Sequence, residues 1–193
     1  KLRSGEGSMV ELRDGSLLLA YSDFVDGGAD ESRGHIVRRT SVDFGNSWSE
    51  KKVLFQADDQ SLNFMSVSLL RLKDGRLAAT FLNKKNTSFM PPMWSVSEDD
   101  GSSWTQPRPM VESGYFVVNN ERLIQLVDGT LALPYAEHVD INDDDETKKG
   151  NAVCGIFYSK DGGLHWKRSP HSITHTPGVF APPAYIDEIP LKP

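Results

Sequence analysis

The sequence has little cysteine, no long apolar run and no excess of basic residues. Its single cysteine, Cys154, excludes an intrachain disulfide and any cysteine-based zinc site. No segment approaches the roughly 18 consecutive apolar residues of a membrane span, so no span is expected. The 21 Lys and Arg against 27 Asp and Glu give a net charge of −6, which argues against nucleic acid as the main partner.

Helix signals and a leader pattern are also missing. No stretch of the 193 residues places apolar side chains at the helical spacing of about 3.6. The first residues lack the segments of a secretion signal. Because Lys1 is not a natural initiator, the sequence is compatible with a leader that has been removed. It does not decide between a secreted, a periplasmic and a cytoplasmic location. With 16 Gly, 11 Pro and 38% apolar residues, the composition suits a turn-rich all-β protein.

Two short patterns each occur three times along the chain. The pattern S-x-D-x-G-x-x-W occupies residues 41–48, 97–104 and 159–166, at spacings of 56 and 62. The pattern L-x-D-G occupies residues 12–15, 72–75 and 126–129, at spacings of 60 and 54. Two markers that share one period indicate an internal structural repeat.

Each repeat is predicted to contain four strands. Asp-Gly favours the positive φ of a tight turn between the first two strands, and the longer pattern supplies the turn between the last two. The predicted strands are 8–12, 16–21, 35–40 and 48–55, then 66–72, 76–82, 93–96 and 104–111, then 116–126, 130–136, 152–158 and 166–169. The repeats therefore cover about 5–56, 62–112 and 115–169, within a domain of residues 1–169 that a proline-rich irregular tail follows at 170–193.

The aspartates of the longer pattern are predicted to be structural. An aspartate in a tight turn accepts hydrogen bonds from the backbone N–H groups that follow it. The glycine supplies a positive φ, and the tryptophan packs its indole over the turn. This structural role is favoured over a catalytic one for Asp43, Asp99 and Asp161 and their partners Trp48, Trp104 and Trp166.

Four-stranded antiparallel sheets at this period predict the blades of a β-propeller. Propellers close with about four to eight blades, so three blades correspond to half of a six-bladed ring. Three blades alone leave two sheet faces uncovered. The chain is then a fragment, or two copies self-associate to complete the propeller, or the remaining blades have been lost.

The S-x-D-x-G-x-x-W repeats resemble the Asp boxes, or BNR repeats, of the sialidase (neuraminidase) superfamily. Residues 5–21 and 27–39 resemble the first blade of that family and residues 119–138 the third, so the resemblance covers about 5–169. It implies a sialidase-like β-propeller. It also implies a glycoside hydrolase, an exo-glycosidase acting on sialic acid or a related terminal sugar, and we expect no cofactor and no metal.

The resemblance places the active site on the face opposite the Asp boxes. A family sialidase holds the substrate carboxylate with arginines and uses an aspartate on a mobile first-blade loop as general acid/base. Asp30 matches that aspartate, with a solvated loop carboxylate as the alternative. Glu6 stands where the family has its first arginine, and Arg3 lies three residues upstream. Because a carboxylate at Glu6 repels that of sialic acid, a different sugar acid or a neutral glycan fits it better.

Five further polar residues are candidates for substrate binding on this face. The amides of Asn63, Asn119 and Asn120 can donate to and accept from sugar hydroxyls, although roles in turns are equally open. Arg122 can bind an anion or a hydroxyl, or pair within the chain. His138 can bind a hydroxyl or donate a proton, with a plain surface histidine as the alternative.

The remaining family machinery has no position in this sequence. The family's nucleophile is a tyrosine paired with a glutamate, and neither this pair nor two later arginines can be assigned, so we expect the chain to be only part of the catalytic unit. The expected partner is a glycan or small sugar, and the alternative function is a non-catalytic glycan-binding or scaffold propeller. Residues 140–151 begin like a calcium loop but lack its glycine and final glutamate, which favours a solvated acidic loop.

Overall fold

The structure is a computed structural model of the chain, and it describes residues 3–139 and 152–174. Within these residues the secondary structure consists of strands and turns, and no helix is present that could cross a membrane. The acidic segment predicted at 140–151 and most of the predicted tail, from residue 175 onward, lie outside the described residues.

The strands form three groups, which we call blades one, two and three. Blade one contains β1 (Arg3–Glu11), β2 (Leu17–Phe24), β3 (Gly34–Ser41) and β4 (Lys52–Phe55). Blade two contains β5 (Asn63–Arg71), β6 (Leu77–Lys84), β7 (Pro92–Ser97) and β8 (Arg108–Pro109). Blade three contains β9 (Tyr115–Val117), β10 (Ile124–Gln125), β11 (Leu131–His138), β12 (Ala152–Ser159), β13 (Lys167–Arg168) and β14 (Ile173–Thr174).

Neighbouring strands pair in antiparallel fashion within each blade. A single parallel bridge between Gly34 and Asn63 connects blades one and two. The prediction of an all-β fold built from four-stranded antiparallel sheets is therefore confirmed. The domain limit at residue 169 stays a prediction, and β14 beyond that limit pairs with β12.

The inner strand of blade three is interrupted. The sequence predicts one strand over 116–126, whereas the structure has β9 and β10, which both pair with β11. Glu121, between them, has a φ of 57°, the left-handed conformation that Glu6 and Ser66 adopt at the register shifts within β1 and β5. The Oε1 atom of Glu121 accepts a hydrogen bond from the N–H of Met9 at 2.8 Å. The interruption thus makes a contact with blade one.

Two apolar clusters fill the space between the blades. One joins blades one and two, and the other joins mainly blades two and three. In the first cluster, Phe81 packs on Phe55 and Phe64, with ring centroids 4.7 and 4.8 Å apart. In the second, Trp94 packs on Trp166 at 5.2 Å. Blade two is consequently covered on both faces, and every residue of β6 is buried.

The three Asp boxes form the same turn. In blade two, Asp99 accepts hydrogen bonds from the Ser103 N–H at 2.8 Å and from the Ser97 hydroxyl at 2.9 Å. Gly101 has a φ of 86°, and its carbonyl accepts the indole N–H of Trp104 at 3.2 Å. The equivalent aspartate bonds recur in the other two blades, at Asp43 with Ser41 and Ser47 and at Asp161 with Ser159 and His165.

The Asp boxes and the Asp-Gly turns lie at one end of the blades. The N–H of Arg13, in the first Asp-Gly turn, donates to Asp100 of the second Asp box at 2.7 Å. The guanidinium of Arg71 pairs with the same carboxylate at 2.6 Å. The opposite end gathers the first residues of β1 and β5, the last residues of β2 and β6, and the loop 25–33. We call this the loop end.

Replacing Phe81 by alanine tests the packing between blades one and two. Phe81 is 1% exposed, and a large buried side chain cut to alanine leaves a cavity that costs about 3–5 kcal/mol of unfolding free energy. Denaturant unfolding measures this loss. Phe44→Ala is the control, because Phe44 is 89% exposed and its replacement is expected to cost less than about 0.5 kcal/mol. Equal losses in the two variants would contradict the packing.

The Asp box of blade two predicts a loss of stability in acid. Hydrogen bonds from the Ser103 hydroxyl, the Ser103 N–H and the Ser97 hydroxyl lower the pKa of Asp99 to about 2. Since the folded pKa lies below the ordinary value of 3.8, the stabilisation is present above that value and is lost as the pH falls towards about 2. In Asp99→Asn, the unfolding temperature is expected to fall by less over this pH range than in the native protein. Glu98→Gln, at the exposed neighbouring position, should leave the fall unchanged.

Candidate functional site

An ion pair at the loop end joins the start of β1 to the loop 25–33. Nη1 of Arg3 lies 2.7 Å from Oδ1 of Asp30 and donates to the Gly28 carbonyl at 3.3 Å. The guanidinium of Arg3 stands 4.0 Å over the ring of Phe24, within the range of a cation–π contact. The Asp30 side chain is 62% exposed, so the carboxylate is held in place and still accessible.

Glu6 lies beside this pair and also joins two blades. Its Oε2 atom accepts hydrogen bonds from the Ser22 hydroxyl at 3.2 Å, the Ser66 N–H at 3.1 Å and the Ser66 hydroxyl at 3.2 Å. Its Oε1 atom is 3.7 Å from Nη2 of Arg3. Glu6 has a φ of 55°, a conformation that is uncommon for a residue with a side chain. The bonds to blade two hold this conformation in place.

Asn63, at the start of β5 in blade two, holds the loop 25–33 of blade one. Its side chain is fully buried, and its amide nitrogen donates to the Asp30 carbonyl at 2.7 Å and to the Ser32 carbonyl at 3.0 Å. Its Oδ1 atom is buried without a hydrogen-bond partner among the described residues. Asn63 therefore fixes the backbone on which Asp30 is carried.

A buried lysine contacts the same loop. The side chain of Lys84 is 6% exposed, and its Nζ atom lies 3.0 Å from Oε1 of Glu31. Burial by itself lowers the pKa of Lys84, but the hydrogen bond to Glu31 and the interaction with Tyr115 outweigh it and raise the pKa. Lys84 is therefore a charged group that connects all three blades through Glu31 and Tyr115.

The other predicted residues occupy different places. Asn120 donates its amide N–H to the Gly7 carbonyl at 2.9 Å, next to Glu6. Asn119 and Arg122 line a groove of about 510 Å³ on the outer flank of blade three. His138 packs edge-on against Tyr115, with ring centroids 5.8 Å apart. The predicted residues thus fall into a cluster at the loop end and a second group on blade three.

Residues 15–184 match the family model described as BNR repeat-like domain. The chain belongs to the BNR repeat-like family. The match includes all three Asp boxes and the loop that carries Asp30. The sequence prediction of a member of the sialidase and BNR superfamily is confirmed.

Comparison with individual proteins places sialidases among the relatives of this BNR repeat-like chain. A sialidase of Bacteroides fragilis (strain YCH46) is 38% identical over 86 residues, which are 42% of the chain and 14% of that protein. The Hadza microbial sialidase Hz136 has a TM-score of 0.68 at 20% identity, over 88% of the chain and 38% of that structure. Trypanosoma rangeli sialidase has a TM-score of 0.68 at 18% identity, over 90% and 31%.

These likenesses establish the propeller fold of the BNR repeat-like chain. At identities of 20% and below, the two solved structures speak for the fold alone. The chain also spans less than two fifths of each of these three relatives. Its activity and its site residues are therefore matters for a proposal.

Sequence reasoning gave no role to Lys84 or Tyr115. The signal in the sequence is Lys84 itself, at the end of strand β6, all of whose residues are buried. A fully buried lysine needs a paired charge. This signal could not have identified Glu31 as the partner, since the two residues are 53 positions apart. Tyr115 carried no signal, because nothing local distinguishes it from the other aromatic residues of the core.

Removing the amide of Asn63 tests the support of the Asp30 loop. Asn63→Ala leaves two backbone carbonyls without their donor, which is expected to cost about 1–3 kcal/mol of unfolding free energy. It should also speed proteolytic cleavage within residues 25–33. Asn119→Ala, at an exposed asparagine, is the control and should change neither quantity. Unchanged cleavage in a less stable Asn63 variant would show that the amide does not hold the loop.

Proposed function

We propose that the chain forms part of a glycoside hydrolase site, that of an exo-glycosidase acting on sialic acid or a related terminal sugar. The observation that carries the proposal is the Arg3–Asp30 pair at the loop end. It joins an accessible carboxylate to a cation in a BNR repeat-like chain whose relatives include sialidases.

Asp30 is the proposed general acid/base. It would protonate the glycosidic oxygen as the bond to the leaving group breaks and take a proton from water in the second step. Its side chain is exposed, while the ion pair with Arg3 and the amide of Asn63 restrict its position. A fixed and accessible carboxylate meets the geometric need of proton transfer.

Arg3, Glu6 and Asn120 are proposed to bind the sugar around Asp30. Asn119, Arg122 and His138 are proposed to contact parts of a glycan that extend over blade three. We propose that the nucleophile and the remaining site residues lie outside this chain, which makes it one part of the catalytic unit.

A second candidate function is glycan binding without catalysis, or a scaffold role. It is favoured by the contacts that tie Asp30 to Arg3 and Asn63, because a carboxylate held in this way can serve the structure of a site without exchanging protons. Catalysis requires Asp30 to exchange a proton, whereas binding by the surrounding polar residues is expected to survive its loss. The two functions therefore differ in their dependence on Asp30.

Self-association to complete a ring stays a prediction. The groove on blade three lies beside Ile156 and Ile173, which are 45% and 78% exposed. These exposed apolar side chains support the covering of the part of the flank around Ile156 and Ile173 by another sheet, which would leave the part beside Asn119 and Arg122 to a glycan.

Hydrolysis of a panel of aryl glycosides, including sialosides, tests the enzyme proposal. The panel is run on this chain and on the full-length gene product. Asp30→Asn is expected to lower kcat/KM by about 100-fold or more, because the proton transfer is lost. Asp59→Asn is the control, since Asp59 is fully exposed and pairs with Arg33 at the surface; it should leave kcat/KM unchanged.

A folded full-length protein that hydrolyses no member of the panel would decide against the enzyme. Glycan-array binding that is then equal in the native protein and in Asp30→Ala would support the binding function.

A further inference from the structure

We propose that the loop-end site selects a neutral terminal sugar over a sugar acid, and that Glu6 is the residue that determines this selectivity. The inference rests on the proposed function for the location of the site, and it narrows the substrate class. It is carried by the pairing of the cations at the loop end with carboxylates.

Arg3 is the cation nearest to the accessible carboxylate, and its charge is already paired. Nη1 contacts Asp30 at 2.7 Å, and the planar face lies over the ring of Phe24. Nη2 is buried, has no hydrogen-bond partner among the described residues and lies 3.7 Å from Glu6. A carboxylate on the substrate would have to displace Asp30 or Glu6 to form a bidentate pair with this guanidinium.

The neighbouring cations are paired as well. Lys84 pairs with Glu31 at 3.0 Å, and Lys51 pairs with Asp23 at 2.6 Å. At the surface, two more pairs follow the same pattern, Arg33 with Asp59 and Lys85 with Asp58. Each of these cations faces at least one carboxylate, so none of them offers an unpaired charge to an anionic substrate.

Two carboxylates on a single guanidinium leave a local excess of negative charge. Arg3 contributes one positive charge, and Glu6 and Asp30 contribute two negative charges within reach of it. A third carboxylate brought to the same place is repelled, and like charges at an interface select against the wrong partner.

The same carboxylates favour the binding of a neutral sugar. An ionised carboxylate only accepts hydrogen bonds, and a bond from a hydroxyl to a charged acceptor is stronger than one between neutral groups. Oδ2 of Asp30 receives no hydrogen bond from the described residues, and Oε1 of Glu6 faces only Arg3. These two oxygens can each accept a hydrogen bond from a sugar hydroxyl.

Glu6 determines the selectivity because its charge can be removed with its shape retained. In Glu6→Gln the carbonyl oxygen can still accept the bonds from Ser22 and Ser66. The amide nitrogen no longer attracts Arg3, so the guanidinium becomes available to a substrate carboxylate. The change should therefore favour acidic sugars without separating the blades.

Calorimetric titration of the full-length gene product with single sugars tests the proposal, and each variant is made in that protein. The neutral probes are the methyl glycosides of galactose and N-acetylglucosamine, and the acidic probes are the methyl glycosides of N-acetylneuraminic acid and glucuronic acid. The native protein is expected to bind a neutral probe about tenfold or more tighter than either acidic probe, as repulsion between close like charges allows. Glu6→Gln is expected to reduce this ratio about tenfold or reverse it. Glu11→Gln, on the same strand at an exposed position, is the charge-matched control and should keep the native ratio.

The outcomes separate this inference from the proposed function. Tighter binding of an acidic probe by the native protein, or an unchanged ratio in Glu6→Gln, overturns the selectivity but leaves a glycan site. Binding of no probe by the full-length gene product overturns both. Thermal unfolding checks each variant, and if Glu6→Gln does not fold, Asp30→Asn releases the same guanidinium and must shift the ratio in the same direction.

Discussion

The burial of blade two on both faces is the constraint on which the rest of the structure depends. A sheet with no face towards water must find a partner for each polar group, and those partners come from the neighbouring blades. The Ser8 hydroxyl of blade one accepts the Leu69 N–H of blade two at 2.7 Å. The Ser68 hydroxyl of blade two accepts the Arg122 N–H of blade three at 3.0 Å. Hydrogen bonds of this kind connect the inner strands in series.

The same constraint shapes the candidate site. Asn63 and Lys84 are buried ends of blade-two strands, and both reach the first-blade loop. The amide nitrogen of Asn63 donates to the Asp30 and Ser32 carbonyls, and Lys84 pairs with Glu31. The loop is therefore held by the polar requirements of a neighbouring sheet. The position of the Asp30 carboxylate follows from packing between blades as much as from its own segment.

Local features were predictable from the sequence, and contacts between distant residues were not. The Asp boxes depend on hydrogen bonds within four residues, such as Ser103 to Asp99, so a short pattern identifies them. The strands follow because the Asp-Gly and Asp-box turns mark their ends. The contact of Arg3 with Asp30 spans 27 positions, and the break at Glu121 depends on a bond to Met9. Both require the arrangement of whole blades, which no short pattern encodes.

Glu6 performs two tasks with one side chain, since one oxygen bonds Ser22 of its own blade and Ser66 of blade two, and the other faces Arg3. Under the proposed selectivity, this sharing limits how sugar preference could change during evolution. A homologue that replaces the glutamate also loses the hydrogen bonds that connect it to Ser66 of blade two. Gradual divergence must therefore begin with compensating changes at the two serines, and homologues with new preferences should carry altered residues at all three positions together.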